Sequence, residues 1–593
     1  MALTADDKLG KVRELMTTHE IAALVITSSD PHQSEYLAGH WQARQWLSGF
    51  TGSAGTVLVT PDQALLWTDF RYWIQARAQI RDSEFRLVKL GEPDVPQVEQ
   101  WLFENLDPGD RVAMDGNVVS LAQIRKVKKK LDAGNIRLVT DLDLIRDAWP
   151  DRPLPPKTRA WDFSTVYAGK SRQDKLGEIR KAMAGYGADR HLMTALDDIA
   201  WTYNLRGEDI RSNPVNLAFS IIGPEEALLF MDPAKVDKDL AAQLAGEGID
   251  LRPYGDVAGA LKGIPDGQGI LLDPENTAFS LFNAVNSNCR IIEKTGPAQE
   301  LKAIKNEIEI RHTRETAVKD GLAVTNFLFW LEHWDGPVSE ISAAEKLREF
   351  RQEQPDFQDI SFSSIMAQGE HSAICHYSAD KESDVPVTDK GMFLTDSGGN
   401  YLTGTTDITR TLHMGTPSAR EIQDYTLVLK GHISVATALF PRGTKGFQID
   451  TLARQFLWKQ GMNFGHGTGH GVGFFLSVHE GPARISPHPV DVELKPGMVL
   501  TNEPGLYREG QYGIRLENMV LVRDSHETEF GRFLKFENLT LCHFEAKLMD
   551  KERLTREEID WVNIYHENVY EKLSPGLQPE VREWLKGKTL KIN

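Results

Sequence analysis

Cysteine is scarce in this chain. Cys289, Cys375 and Cys542 are the only three in 593 residues, far apart and odd in number. That excludes a disulfide framework and a cysteine-rich zinc site, so any metal must be held by histidines and carboxylates. Long apolar runs are missing too. Stretches such as Thr56-Val-Leu-Val-Thr60 fall far short of the ~18 apolar residues a membrane span needs. Positive charge is in deficit: 67 Lys and Arg against 85 Asp and Glu leave a formal −18. An acidic chain repels phosphate backbones, which argues against nucleic acid as a partner. The opening MALTADDKLGKVREL has neither the apolar stretch of a secretory signal nor the Arg-rich, acid-poor character of a transit peptide. A cytoplasmic chain with reduced thiols is therefore expected.

What is present is an ordinary globular balance, 41% hydrophobic and 26% charged. Four prolines within Trp149-Pro-Asp-Arg-Pro-Leu-Pro-Pro156 forbid helix and remove ladder donors, so this run reads as a linker. A second break at Lys294-Thr-Gly-Pro297 precedes a long helical pattern beginning at Leu301. The expected divisions are 1–155, 156–300 and 301–593.

The first two divisions look alike. Pro61-Asp-Gln-Ala-Leu-Leu-Trp-Thr-Asp69 recurs as Pro224-Glu-Glu-Ala-Leu-Leu-Phe-Met-Asp232, each a turn and then a strand following another apolar strand. Two mutually related α/β domains are expected. The third division reads as α+β. One amphipathic helix should open with Pro417 in its first turn, a second should cover 447–460, and Thr555 with Glu558 forms a capping box.

The chemistry gathers in that third division. A hairpin centred between residues 401 and 402 would set Asp396 opposite Asp407, where like charges destabilise the pair unless a cation lies between them. Next comes Phe464-Gly-His466-Gly-Thr-Gly-His470-Gly-Val-Gly-Phe474, followed by Val478-His479-Glu480. Five glycines between 465 and 473 rule out a stable helix but let backbone approach a ligand closely. Glu503 precedes Pro-Gly at a strand end. Glu517 falls inside an apolar strand pattern, where a carboxylate needs a partner or a metal. Oxygen-rich ligation with little nitrogen and no sulfur suits Mn²⁺, or Co²⁺, better than a structural Zn²⁺. Four carboxylates overcharge one divalent ion and balance two, and paired ions ~3.5–4 Å apart activate water for hydrolysis. A dinucleotide-binding reading of the Gly465–Gly473 run fails, because no strand–turn–helix context surrounds it.

The ordered set Asp396, Asp407, His470, Glu503, Glu517 resembles the five-ligand signature of the pita-bread metallopeptidases. The likeness extends over essentially the whole chain to the long, three-domain cytosolic Xaa-Pro aminopeptidases. Supporting runs are Asp30-Pro-His-Gln-Ser-Glu-Tyr36, Ser48-Gly-Phe-Thr-Gly-Ser-Ala-Gly-Thr56, Trp67-Thr-Asp-Phe-Arg71-Tyr72, Asn204-Leu-Arg-Gly207 and Val478-His-Glu-Gly-Pro482.

The resemblance implies creatinase-like domains over 1–155 and 156–300. It implies a pita-bread catalytic domain over 301–593, with a C-terminal extension from about 530. It further implies two divalent ions per chain, Mn²⁺ first and Co²⁺ or Zn²⁺ as alternatives, with a water or hydroxide bridging them. Asp396 would chelate one ion, Asp407 and Glu517 would bridge, and His470 and Glu503 would complete the other site. Glu503 would shuttle the proton to the leaving nitrogen. His376, His479 and His466 would line the catalytic pocket, and Arg71, His376, His470 and His479 would meet substrate. The pattern departs at Phe70, where the family usually has Gly. Trp458 matches a dimer-contact tryptophan, implying a homodimer through the catalytic domain. The expected substrates are peptides with proline second. A prolidase acting on Xaa-Pro dipeptides and a non-catalytic pita-bread binding protein are the alternatives. The first is disfavoured by the extra middle domain, the second by five intact ligand positions.

Overall fold

The computed structural model describes residues 3–593, which divide into two compact units. One runs to Thr165 and resumes over Lys170–Glu300; the other holds Val166–Gly169 and Leu301–Asn593.

The first unit contains two six-stranded sheets of the same design. In one, Arg86–Lys89, Ala64–Thr68, Thr56–Val59, Ala23–Thr27, Arg111–Met114 and Arg137–Val139 lie side by side. In the other, the order is Ile249–Arg252, Ala227–Phe230, Phe219–Ile222, Arg190–Met193, Gly269–Leu272 and Arg290–Glu293. The third strand of each is antiparallel to both neighbours, and the remaining pairs are parallel. The repeated sequence units therefore fold alike. The Thr60 amide closes one hairpin on the Gln63 carbonyl at 2.9 Å, and the Gly223 amide closes the other on Glu226 at 2.9 Å. After each hairpin an aspartate caps a short 3-10 turn. Asp69 accepts from the Arg71 amide before Phe70–Tyr72, and Asp232 accepts from the Ala234 amide before Pro233–Lys235. Residues 149–160 carry neither helix nor strand, as their prolines dictate.

In the second unit the expected single helix is split. Pro297–Ala303 is helical, and a new helix, Glu307–His333, starts under a capping box between Asn306 and Glu309. The break is held from outside: the Lys305 amide donates to Gly497 O at 2.9 Å, and Ile304 bridges to Met498. The helix expected to begin with Pro417 is Ala419–Ala436, because Ser418 caps it with Glu421 and leaves the proline outside. The next helix is Gly446–Trp458. Thr555 caps Arg556–Leu573 as its sequence requires.

A six-stranded antiparallel sheet orders Leu439–Pro441, Gly531–Asn538, Asn518–Thr528, Val499–Asn502, Gly469–Gly471 and Glu480–Ile485. A smaller sheet pairs Ile365–Gln368, Met392–Ser397 and Ile408–His413. Buried aliphatic and aromatic side chains, including Val428, Ile485, Leu500, Val520 and Phe544, pack the helices onto the large sheet. The hairpin register differs from the sequence expectation. Asp396 pairs with Thr409, not Asp407, because the turn falls at Leu402-Thr403 between Tyr401 and Gly404. Gly404 has φ +145°, a backbone conformation that side-chain-bearing residues avoid, and Thr316 Oγ1 binds the Thr403 carbonyl at 2.7 Å.

Candidate metal centre

Strands and the junctions beside them deliver the five predicted ligands. Asp396 lies on Met392–Ser397, Asp407 just before Ile408–His413, and His470 within Gly469–Gly471. Glu503 follows Val499–Asn502 directly. Glu517 is not inside a strand as its sequence pattern suggests. It occupies the junction between Tyr512–Arg515 and Asn518–Thr528, where its amide donates to Thr409 O at 3.1 Å. Glycine is required on both sides of His470. A Cβ on Gly469 would collide with the Thr501 carbonyl and one on Gly471 with the Glu480 carbonyl, so only bare backbone admits His470 between those strands.

Ligand atoms of Asp407, His470 and Glu517 lie within 4.8 Å of one another. His470 Nε2 is 3.4 Å from Asp407 Oδ2 and 3.5 Å from Glu503 Oε1. Its Nδ1 faces the Gly471 carbonyl at 2.9 Å, so the proton on Nδ1 is committed there and Nε2 is turned to the carboxylates. The Thr409 hydroxyl donates to Glu517 Oε2 at 2.7 Å, and the Thr501 hydroxyl lies 3.4 Å from Glu503 Oε1. Arg515 donates through Nη2 to Asp396 Oδ2 and through Nε to the Thr409 hydroxyl.

Burial pushes the Asp396, Glu503 and Glu517 carboxyls above their ordinary range, Glu517 furthest, and the neighbouring carboxylates add to it. Arg515 opposes the shift. Burial pulls His470 down, but Asp407 and Glu503 outweigh it and hold the imidazole up at about 9. Like charges crowded in a dry site are what a bound cation relieves. Asp396 Oδ1, buried and without a hydrogen-bond partner among the described residues, is a donor left open. Four carboxylates, one of them with that open oxygen, and one imidazole Nε2 fit hard to borderline divalent cations.

The comparisons with known proteins agree. Family models match residues 8–147 and 151–309 (Creatinase/Prolidase N-terminal domain), 311–524 (Metallopeptidase family M24) and 532–592 (C-terminal region of peptidase M24). The chain is 38% identical to Xaa-Pro aminopeptidase 1 of Dictyostelium discoideum, over 98% of this chain and 95% of that protein. The chain belongs to metallopeptidase family M24. A solved structure, the X-prolyl aminopeptidase of Caenorhabditis elegans, described as a cytosolic enzyme with a di-nuclear active site, superposes with a TM-score of 0.96 at 34% identity over all of both chains. The Xaa-Pro dipeptidase of Bacillus anthracis matches 63% of this chain and 99% of its own, with 25% identity and a TM-score of 0.51. The architecture is thus the M24 one: two creatinase-type α/β domains and a pita-bread domain.

The structure places the other predicted site residues of this M24 chain as follows. The His479 ring meets the His470 ring edge to face at 4.3 Å. His466 Nε2 is 2.8 Å from the Tyr507 hydroxyl. His376 is half-buried next to Cys375, whose carbonyl accepts from Arg515 Nη1 at 3.3 Å. Arg71 lies in the other unit, where its guanidinium grips Asp69 with two 2.8 Å bonds. Phe70 does not disturb that arrangement: it sits in a helical turn that any residue adopts, its ring edge-on to Trp73. Trp458 ends its helix 49% exposed, with Nε1 on Asn463 Oδ1 at 3.1 Å, so it is not part of its domain's core.

Sequence reasoning missed Arg515, Tyr507 and Thr409. Tyr507 OH accepts from Arg515 Nη1 at 2.7 Å, linking the Asp396 pair to His466. One signal was available, since an arginine in the apolar run Gly513-Ile-Arg515-Leu-Glu517 needs a buried acid.

Proposed function

We propose that this chain is a metal-dependent aminopeptidase that hydrolyses the bond between an N-terminal residue and a following proline. The observation that carries this is the buried cluster of Asp407, His470 and Glu517, with Glu503 on His470 and an open oxygen on Asp396. It occurs in a chain that matches Xaa-Pro aminopeptidases from end to end. Asp396, Asp407, His470, Glu503 and Glu517 would hold two divalent ions, Mn²⁺ by preference. When bound, such ions supply Lewis-acid polarisation of the carbonyl and lower the pKa of water.

The protein's own groups do the rest. Glu503, its carboxyl raised by burial, accepts the proton of the attacking water and delivers it to the proline nitrogen. That nitrogen is tertiary and carries no N–H in the substrate, so it must gain a proton to leave. His479 and His376 offer donors to the developing oxyanion and the peptide, and Asp407 with Glu503 keeps His470 oriented. Arg71 is assigned to substrate and Trp458 to a homodimer contact. A cytoplasmic location accords with the cysteines, none of which forms a disulfide among the described residues.

The test is hydrolysis of Xaa-Pro-Yaa tripeptides beside Xaa-Pro dipeptides, after chelation and add-back of Mn²⁺, Co²⁺ or Zn²⁺. Cleavage of the first bond of the tripeptides, restored best by Mn²⁺, is expected. Turnover of dipeptides alone would mean a prolidase.

A further inference from the structure

Arg410 stands one residue beyond Thr409 and is 1% exposed. Its Nη1 donates to the Glu517 carbonyl at 2.6 Å and to the Thr409 carbonyl at 2.9 Å. Its Nη2 donates to Asn518 Oδ1 and the Cys542 carbonyl, both at 2.8 Å, and to the Tyr565 hydroxyl at 3.0 Å. Its Nε donates to the His543 carbonyl at 3.0 Å, and the guanidinium lies 4.3 Å from the centre of the Phe544 ring. One cation thus ties the backbone at Glu517 and the side chain of Asn518 to the segment 540–544 and to the helix Arg556–Leu573, which carries Tyr565. Tyr565 is itself fixed, its hydroxyl 2.9 Å from the Thr540 carbonyl and 3.0 Å from that of Cys542.

Glu517 needs such a tie. It sits between two strands, so no ladder continues through it. Its amide is held by Thr409 O and its carbonyl by Arg410. A buried carbonyl deprived of its donor is costly to leave bare, and only a planar guanidinium can serve this many acceptors at once. A carboxylate that must meet a metal within a few tenths of an ångström depends on its backbone being fixed.

We propose that Arg410 is a positioning residue for Glu517, and that through it the C-terminal region makes up part of the metal centre. This rests on the metal-centre reading above. The neighbours of metal ligands typically matter at the level of 10- to 100-fold in metal affinity.

The experiment uses the full chain, wild type, Arg410→Lys and Tyr565→Phe. The charge of Arg410→Lys is unchanged but its fork is lost; Tyr565→Phe removes one hydroxyl. Each is stripped by chelation, checked by circular dichroism and titrated with Mn²⁺ by calorimetry. Amide exchange is followed in the metal-free protein, and kcat and KM are read at saturating Mn²⁺. Arg410→Lys should bind Mn²⁺ roughly 10- to 100-fold more weakly. Its Glu517 amide, and that of Met519, which donates to the Thr540 hydroxyl at 2.8 Å, should exchange faster while those of Ala419–Ala436 do not, and kcat should fall at constant KM. Tyr565→Phe should move the same readouts less. Wild-type affinity and exchange in both variants would overturn the proposal. If Arg410→Lys does not fold, unchanged affinity and exchange in Tyr565→Phe overturn it alone. A wild-type chain that binds no Mn²⁺ would sink the functional reading instead, and exchange in the metal-free variants would still decide the role of Arg410.

Discussion

Arg515 and Asp396 form a buried ion pair that engages one carboxylate oxygen and leaves the other open. Nη2 donates to Oδ2, while Oδ1 has no hydrogen-bond partner among the described residues. The arginine thereby fixes the rotation of the carboxylate and decides which oxygen is left open.

Arg515→Met should therefore harm the protein twice. In the chelated chain Asp396 loses its paired cation, a loss that for buried pairs costs about 3–5 kcal/mol. Urea unfolding with chelator should show it, and Mn²⁺ should recover only part of the difference. A variant as stable as wild type without metal would show that Asp396 is neutral when the pair is broken.

Removing Asp407 should abolish turnover. Asp407 Oδ2 lies 3.4 Å from His470 Nε2, and a ligand atom of Asp407 is within 4.8 Å of one on Glu517, so Asp407→Ala opens the middle of the set. Metal analysis after dialysis should find fewer ions per chain. Wild-type turnover at saturating Mn²⁺ would rule out a shared ligand at this position.

The histidines should separate into two kinds. His470→Ala should lower metal content, whereas His376→Ala and His479→Ala should keep it and lose roughly 100-fold or more in kcat, the size expected for one positioned donor. Equal metal loss in all three would contradict this division.

The metal-free protein should lose stability as pH rises. Glu517, Glu503 and Asp396 have folded pKa values raised above the ordinary 4.5 and 3.8, so the native state binds the extra protons and each carboxyl opposes folding once pH passes its unfolded value. His470, raised from 6.5 to about 9, contributes stability below 6.5 that is lost between those two values. Both effects slope downward. Thermal unfolding with chelator should show the decline between about pH 5 and pH 9, reduced in Glu517→Gln, and Mn²⁺ should flatten it. Identical slopes for wild type and Glu517→Gln would mean that Glu517 has no part in the decline.

Trp458→Glu tests assembly. The indole is half exposed at a helix end, and burying an unpaired carboxylate in a contact is unfavourable. Light scattering should report a dimer for wild type and a folded monomer for Trp458→Glu. An unchanged mass would place the contact elsewhere.

The five candidate ligands were named as a set by the family resemblance; the residues themselves marked the histidines of the Gly-rich run and Glu517 in an apolar pattern, where such a group needs a partner. The hairpin register was not legible. It is set by φ at Gly404 and by a bond from Thr316, 87 residues earlier, neither of which periodicity records. The break at Ile304–Asn306 was hidden for the same reason, being held by Gly497 and Met498 just before a distant strand. Arg515, Tyr507 and Arg410 became interpretable only when the fold supplied acceptors from remote segments. The paired α/β sheets could be read from one repeated nine-residue run, because a hairpin is a local structure.

That repeat has since diverged in how it handles charge. In both copies an aspartate just past the strand caps a tight turn, and both turns carry a cation. In the first copy Asp69 clasps Arg71, whose side chain remains 29% exposed. In the second, Lys235 turns inward to a buried pair with Asp209, at 3% and 0% exposure. One scaffold thus carries a partly exposed arginine clasped to its own cap in one copy and an interior bolt to a separate segment in the other.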